Sequence, residues 1–267
     1  MGGVVRAPFF GLVAALVLGT PAAFAADMAL PVRSIPAPPP PVVNWTGCYA
    51  AGGIGYGMWN QDYSETFPAP FIALTTNNTS GGRGWFGVAG GGCDYQLNIL
   101  GAGLEVGALG DFDFMHIHGD FAPSGVGTVG DENERWAWAA GGRIGYLVTP
   151  ALLTYFNSGY TQTRFDQVNF SFAFAPSLGG GFPAGATAFT MPAQTYRGWF
   201  IGGGIEYALT GLPIPGFFWR NEYRYSTYQS ADVPILFAGG PSGAGLHIRN
   251  KVQTLATAIV YKLNWAP

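Results

Sequence analysis

From Trp45 onward one pattern recurs: about ten residues alternating between apolar and small or polar side chains, rich in glycine and aromatics, then a connection. Period-two alternation puts one set of side chains on each face of an extended strand and does not suit a helix. Eight such runs stand at roughly 47–60, 83–96, 99–113, 134–148, 152–164, 196–209, 217–228 and 251–265. Their connections alternate in length. Short ones follow the second, fourth and sixth runs, at Gln96 to Ile99, Val148 to Ala151 and Thr210 to Gly216. Long ones follow the first, third, fifth and seventh, at about 61–82, 114–133, 165–195 and 229–250. Short turns at one end and long loops at the other, on an even number of strands, predict an all-β fold: an eight-stranded antiparallel up-and-down transmembrane β-barrel.

A soluble barrel with the same strands would need a polar exterior. Only 10% of the residues are charged, against about 25% in ordinary soluble domains. Past the N-terminus no unbroken apolar stretch is long enough for a helical span. A closed barrel is the other way to pair every backbone polar group in lipid. Parity along the runs agrees. Leu104, Val106, Ala108 and Phe112 oppose Glu105, Asp111 and Asp113. Trp136, Trp138, Ile144 and Tyr146 oppose Arg135 and Arg143; Trp199, Ile201, Ile205 and Tyr207 oppose Glu206. Phe217, Trp219, Tyr223 and Tyr225 oppose Arg220, Glu222 and Arg224, and Leu255, Ile259, Tyr261 and Leu263 oppose Lys262. The apolar faces carry small residues mid-strand and Trp or Tyr near the ends, like the girdles of a lipid-facing band. The charged faces are sparse and mixed in sign, which suits pairing inside a narrow lumen. Glu105, Arg143, Glu206, Arg220, Glu222 and Arg224 are therefore expected to form an inward ionic network.

The N-terminus reads as an export signal. Arg6 precedes an apolar stretch from Pro8 to Leu18 that is too short to span, and Ala23-Phe24-Ala25 supplies a cleavage site. The expected organisation is a signal peptide over 1–25, a proline-rich periplasmic tether over 26–43 and a barrel over 44–267. Pro-Ala-Pro-Pro-Pro-Pro41 favours an extended polyproline conformation that cannot join a sheet ladder. Without Arg6 the chain has 11 basic and 15 acidic side chains, a net charge of −4, which offers nucleic acid no basic face.

Two cysteines, Cys48 and Cys93, fall near the start of run one and the end of run two. A hairpin through the first long loop would bring both to the periplasmic rim, and both share the more apolar face of their strand. A disulfide is then within reach. A long loop does not fix register, so two small hydrophobes that never meet is an equal alternative.

Other chemistry is sparse. His116 and His118, at i and i+2 on an extended chain, share a face and are weak candidates for metal or haem ligation, with no third ligand beside them. Asp111, Asp113 and Asp120 read as solvated rim residues. Gly90-Gly-Gly92 and Gly202-Gly-Gly204 lack the Lys-Ser and helix of a phosphate cradle and suit packing against bulky lumen side chains. Ser226 with His247 is conceivable as a nucleophile and base, but nothing marks either as activated. No catalytic set and no cofactor is expected.

Asn44-Trp-Thr-Gly-Cys-Tyr-Ala-Ala-Gly-Gly-Ile-Gly-Tyr-Gly57 resembles the opening strand of the small outer-membrane β-barrel proteins of alphaproteobacteria, in the OmpA-like membrane-domain and porin-family superfamily. Gly110-Asp-Phe-Asp-Phe114, Gly198 to Tyr207, Asn221 to Tyr225 and Val260 to Trp265 resemble its later strands, so the resemblance runs over about 45–265. The two cysteines are not general features of it, and Trp265-Ala-Pro267 replaces the usual terminal aromatic. The resemblance implies eight strands, residence in the bacterial outer membrane and a role in envelope integrity or surface contact. Expected partners are outer-membrane lipid, lipopolysaccharide, the barrel-assembly machinery and an unknown surface ligand. Small-solute porins and haem or ligand binders are the alternatives, with a lipid-modifying enzyme a minor one.

Overall fold

The alternating runs form antiparallel strands that close on themselves. A computed structural model of the chain describes residues 43–68, 77–99, 102–122, 128–172, 185–238 and 240–263. The expected signal peptide, nearly all of the tether, and Trp265 lie outside the described residues. The strands are β1 (Gly47–Thr66), β2 (Asn78–Ile99), β3 (Ala102–Phe121), β4 (Thr128–Thr149), β5 (Leu152–Phe165), β6 (Val168–Phe172), β7 (Thr187–Met191), β8 (Gln194–Ala208), β9 (Phe217–Tyr228), β10 (Ala231–Phe237) and β11 (Gly240–Leu263). Among the described residues there is no helix. The ring runs β1-β2-β3-β4-β5-β8-β9-β11 and is closed by β1 pairing β11 from Cys48↔Leu263 to Thr66↔Gly245. Closure leaves no free edge, as a strand in lipid requires.

The strands run further than the alternating runs foretold. The stretch 165–195, expected as one long loop, contains β6 and β7. The stretch 229–250 contains β10 and the beginning of β11. Beside β4, β6 takes the place of β5 through Thr128↔Phe172 and Val129↔Ser171. β7 pairs β6 where β8 would have stood, and β10 lies between β7 and β11. Above the membrane barrel, β1–β4, β6, β7, β10 and β11 thus continue the ring as a second storey. Three of the walls change strand at short breaks. One falls at Pro192, which has no N–H to give the ladder. At the other two, Asp166 N donates to Asn133 O at 2.9 Å and Gln229 N to Arg197 O at 2.8 Å.

The two storeys share the period but invert its meaning. In the lower one, Ile54, Val106, Ile144, Phe156, Ile201 and Leu255 are exposed on the outside. The band is bordered on one side by Tyr95, Tyr146, Tyr207 and Trp219, and on the other by Tyr56, Trp85, Phe114 and Trp199. In the upper storey the apolar side chains turn inward: Trp59, Ile117, Phe121, Phe165, Phe170 and Ile248 form one buried cluster. The outward positions there are Asn60, Asp62, His116, His118, Asp131 and Arg249. A strand in lipid shows its apolar face outward and the same strand in water hides it. The polar outward positions made this stretch look like loop.

Candidate functional site

Inward positions of the lower storey bring the charged side chains together in two groups. Nearest the periplasmic end, Arg143 on β4 donates Nε to Asp94 Oδ1 at 2.7 Å, Nη1 to Glu206 at 3.1 Å and Nη2 to Glu105 at 2.6 Å, and pairs again with Asp94 through Nη2. Arg220 on β9 reaches Glu206 at 2.7 Å. Lys262 on β11 lies 3.0 Å from Asp94, 3.5 Å from Glu105 and 3.3 Å from Glu206. Three carboxylates and three cations thus cancel within one cluster, buried except at Arg220, whose side chain is 12% exposed. Aromatic faces complete it, with Arg220 4.6 Å and Arg143 5.0 Å from the Tyr49 ring centroid. Trp45, wholly buried against Phe218 and donating Nε1 to Pro150 O at 3.1 Å, lies beneath it, and Lys262 sits 4.8 Å from its ring.

The second group stands higher. Arg224 holds Asp111 with two hydrogen bonds of 2.8 Å and Glu222 at 2.8 Å, and Tyr155 Oη donates to Glu222 at 2.8 Å. The six residues expected in the lumen all face it, divided between these groups. Asp94, Asp111 and Lys262 join them. Lys262 was visible by parity in the last run. Asp94 was hidden by its glycine-rich strand, the least regularly alternating of the eight. Asp111 and Asp113, expected on a solvated rim, are inward instead, Asp113 buried and Asp111 bound to Arg224.

The glycine runs make room for this contents. A Cβ on Gly92 would stand 2.6 Å from Tyr49 Oη, and one on Gly204 would stand 2.7 Å from Tyr155 Oη. Between the two charge groups a cavity of about 50 Å3 touches Asp111, Arg220, Glu222 and Arg224, on the scale of a few waters.

Cys48 and Cys93 are directly opposed on β1 and β2 and joined by a disulfide. Arg135, expected inward with Arg143, is outward with 64% of its side chain exposed. A bulge between Glu134 and Trp136 inserts it into β4 and breaks the parity. Ser226 is buried inside whereas His247 stands on the outer face, 2.7 Å from Asp232, so the two do not meet.

Outside, the basic side chains are gathered at one level. Four of the 12 Lys and Arg fill the lumen. Arg83, Arg135, Arg164, Arg197, Arg249 and Lys251 face outward just beyond the upper aromatic band, on five strands. Arg83 lies two residues past Trp85 and Arg197 two past Trp199. Lys251 pairs Asp62 at 2.9 Å and Arg135 pairs Asp166 at 3.6 Å. Arg83, Arg164, Arg197 and Arg249 have no carboxylate in ion-pair range among the described residues. At this level too, His116 and His118 project together from β3, their Nε2 atoms 3.1 Å apart.

The family model of the outer membrane protein beta-barrel domain matches residues 12–254. No curated protein matches the chain. Among solved structures, the attachment invasion locus protein Ail of Yersinia pestis is similar at 14% identity and a TM-score of 0.34, covering 81% of this chain and 99% of Ail. Neisserial surface protein A is similar at 15% identity and 0.36, covering 80% and 99%. The outer membrane protease OmpT of Escherichia coli is similar at 9% identity and 0.42, covering 81% and 97%. With a closed ring of eight strands, a lipid-facing apolar band and a family match over most of its length, the chain belongs to the outer membrane protein β-barrel domain family and is a transmembrane β-barrel of the Gram-negative outer membrane.

Proposed function

We propose that the protein is a closed, non-enzymatic surface barrel that strengthens the outer membrane and presents its upper storey to the outside. The observation that carries this reading is the neutral, largely buried cluster of Asp94, Glu105, Glu206, Arg143, Arg220 and Lys262 above Trp45. Each member is bound to at least one of the others, so a hydrated ion could pass only by pulling these paired charges apart. An eight-stranded barrel is also just wide enough for its interior to be filled by side chains.

Lipopolysaccharide is the proposed lipid partner. The outward arginines stand where the phosphates of its lipid would lie, at the rim carrying the second storey. The assembly machinery is proposed to read the closing strand β11. The opening-strand resemblance of Asn44 to Gly57 supports a place in the alphaproteobacterial, OmpA-like branch of the family.

Planar-bilayer recording of the folded chain tests the closed lumen. The expected outcome is a silent membrane. Reproducible single-channel steps that persist after repurification would replace this reading with a small-solute porin.

A further inference from the structure

We propose that His116 and His118 form a binding site for a divalent transition-metal ion at the outer rim of the barrel. Both project from the outward face of β3, two residues beyond Phe114 of the aromatic band. Their rings meet edge to face, centroids 4.3 Å apart and planes at 83°, with the Nε2 atoms 3.1 Å from each other. Two imidazole nitrogens each about 2.0–2.1 Å from one ion are themselves about 2.9 Å apart at a right angle and about 3.3 Å apart in a tetrahedron. The observed separation falls between these, so an ion enters once the two rings tilt apart and bring both lone pairs onto it.

A neighbouring strand prepares the pair. Asp131 Oδ2 on β4 lies 3.2 Å from His118 Nδ1. A carboxylate there keeps the ring proton on Nδ1 and turns the Nε2 lone pair toward His116, the carboxylate–histidine–metal arrangement. Without an ion, His116 Nε2–H donates to that lone pair; on binding, the neutral His116 ring takes its other tautomer, its proton passing to Nδ1 through water, and both Nε2 atoms become ligands. Arg83 stands opposite His118 in the β2–β3 register and opposes a cation. Asp120 and Asp131, directly paired across β3 and β4, place two carboxylates on the other side and offset it.

The donor set selects the ion. Two neutral imidazoles suit Cu2+, Ni2+ and Zn2+ and not Ca2+ or Mg2+, with Cu2+ the tightest. Among the described residues no third His, Cys, Asp or Glu completes a cage. The remaining positions are open to water or to an anion from outside, so the site is an exchangeable one on the surface.

The test uses the untagged chain folded in a zwitterionic detergent. Calorimetry with Cu2+ and Zn2+ gives affinity and stoichiometry, and electron paramagnetic resonance of the Cu2+ form reads the ligands. One ion per chain with hyperfine coupling to two imidazole nitrogens is expected. His116→Ala and His118→Ala each weaken binding by about tenfold or more, and Asp131→Asn by roughly tenfold. His247→Ala leaves it unchanged. Heat-modifiable gel migration, the same in every variant, shows that these exposed changes leave the barrel folded. Wild-type affinity in the double His116→Ala/His118→Ala variant, or a Cu2+ spectrum without nitrogen coupling, overturns the site.

Discussion

Arg143 is the side chain on which the lumen turns. It contacts Asp94, Glu105 and Glu206, carboxylates contributed by three other strands, and none of the four is open to solvent. Replacing it with alanine leaves three buried negative charges against only Lys262 and Arg220. Breaking a buried ion pair by removing one partner costs about 3–5 kcal/mol, and Arg143→Ala is expected to lower stability by that order. Urea unfolding in lipid vesicles measures it, and an unchanged midpoint would show that the network adds nothing to stability. Arg143 was legible as an inward charge because a strand's parity is set locally. Its partners were legible only where their own strands alternate cleanly, which Glu105 and Glu206 do and Asp94 does not. Arg135 shows the converse. Parity assigned it to the lumen, and one inserted residue at the bulge sent it outside.

At the scale of the strand, the outer half of β4 gives a pH dependence. Glu132 lies in the second storey, wholly buried, accepting from Gln61 Nε2 at 3.0 Å, with no cation paired to it among the described residues. Burial pushes its carboxyl up to about 7, and Asp131 nearby adds to the rise. The folded state therefore holds this proton over a range where the unfolded chain, at an ordinary 4.5, has released it. Ionising the buried group opposes folding, so its contribution to stability is greatest below about pH 4.5, falls as pH rises toward 7 and levels off above it. The change amounts to roughly 3 kcal/mol. Hydrogen exchange of β4 and β6 amides should show more protection at pH 5 than at pH 8, with Glu132→Gln reducing the difference and leaving the part owed to Glu134, whose carboxyl burial raises to about 8. Equal pH dependence in the variant would assign the effect to another group. The β1–β2 hairpin carries a different lesson. Shared parity placed Cys48 and Cys93 on one face, but their direct opposition depends on the register the hairpin adopts. Slipping that register by one residue would send the two sulfurs to opposite faces.

The whole molecule is a barrel built for two solvents, and the collar of arginines marks where one gives way to the other. A basic side chain near an anionic lipid surface contributes about 1 kcal/mol. Exchanging Arg83, Arg164 and Arg197 together for glutamine is therefore expected to remove most of any extra stability gained in vesicles containing lipopolysaccharide. Stability in phosphatidylcholine vesicles should change little. Equal loss in both lipids would mean that these arginines support the fold rather than bind the lipid. By itself the sequence determined the period, the number of spanning strands, the lipid-facing set and most of the lumen charges. Each of these follows from the order of side chains along one extended segment in contact with lipid or lumen. Only the tertiary structure decided which charges meet, that two sulfurs face each other, that a bulge expels Arg135 and that β6, β7 and β10 raise a second storey. Those depend on pairing between segments joined by long loops, and a loop's length fixes neither register nor partner.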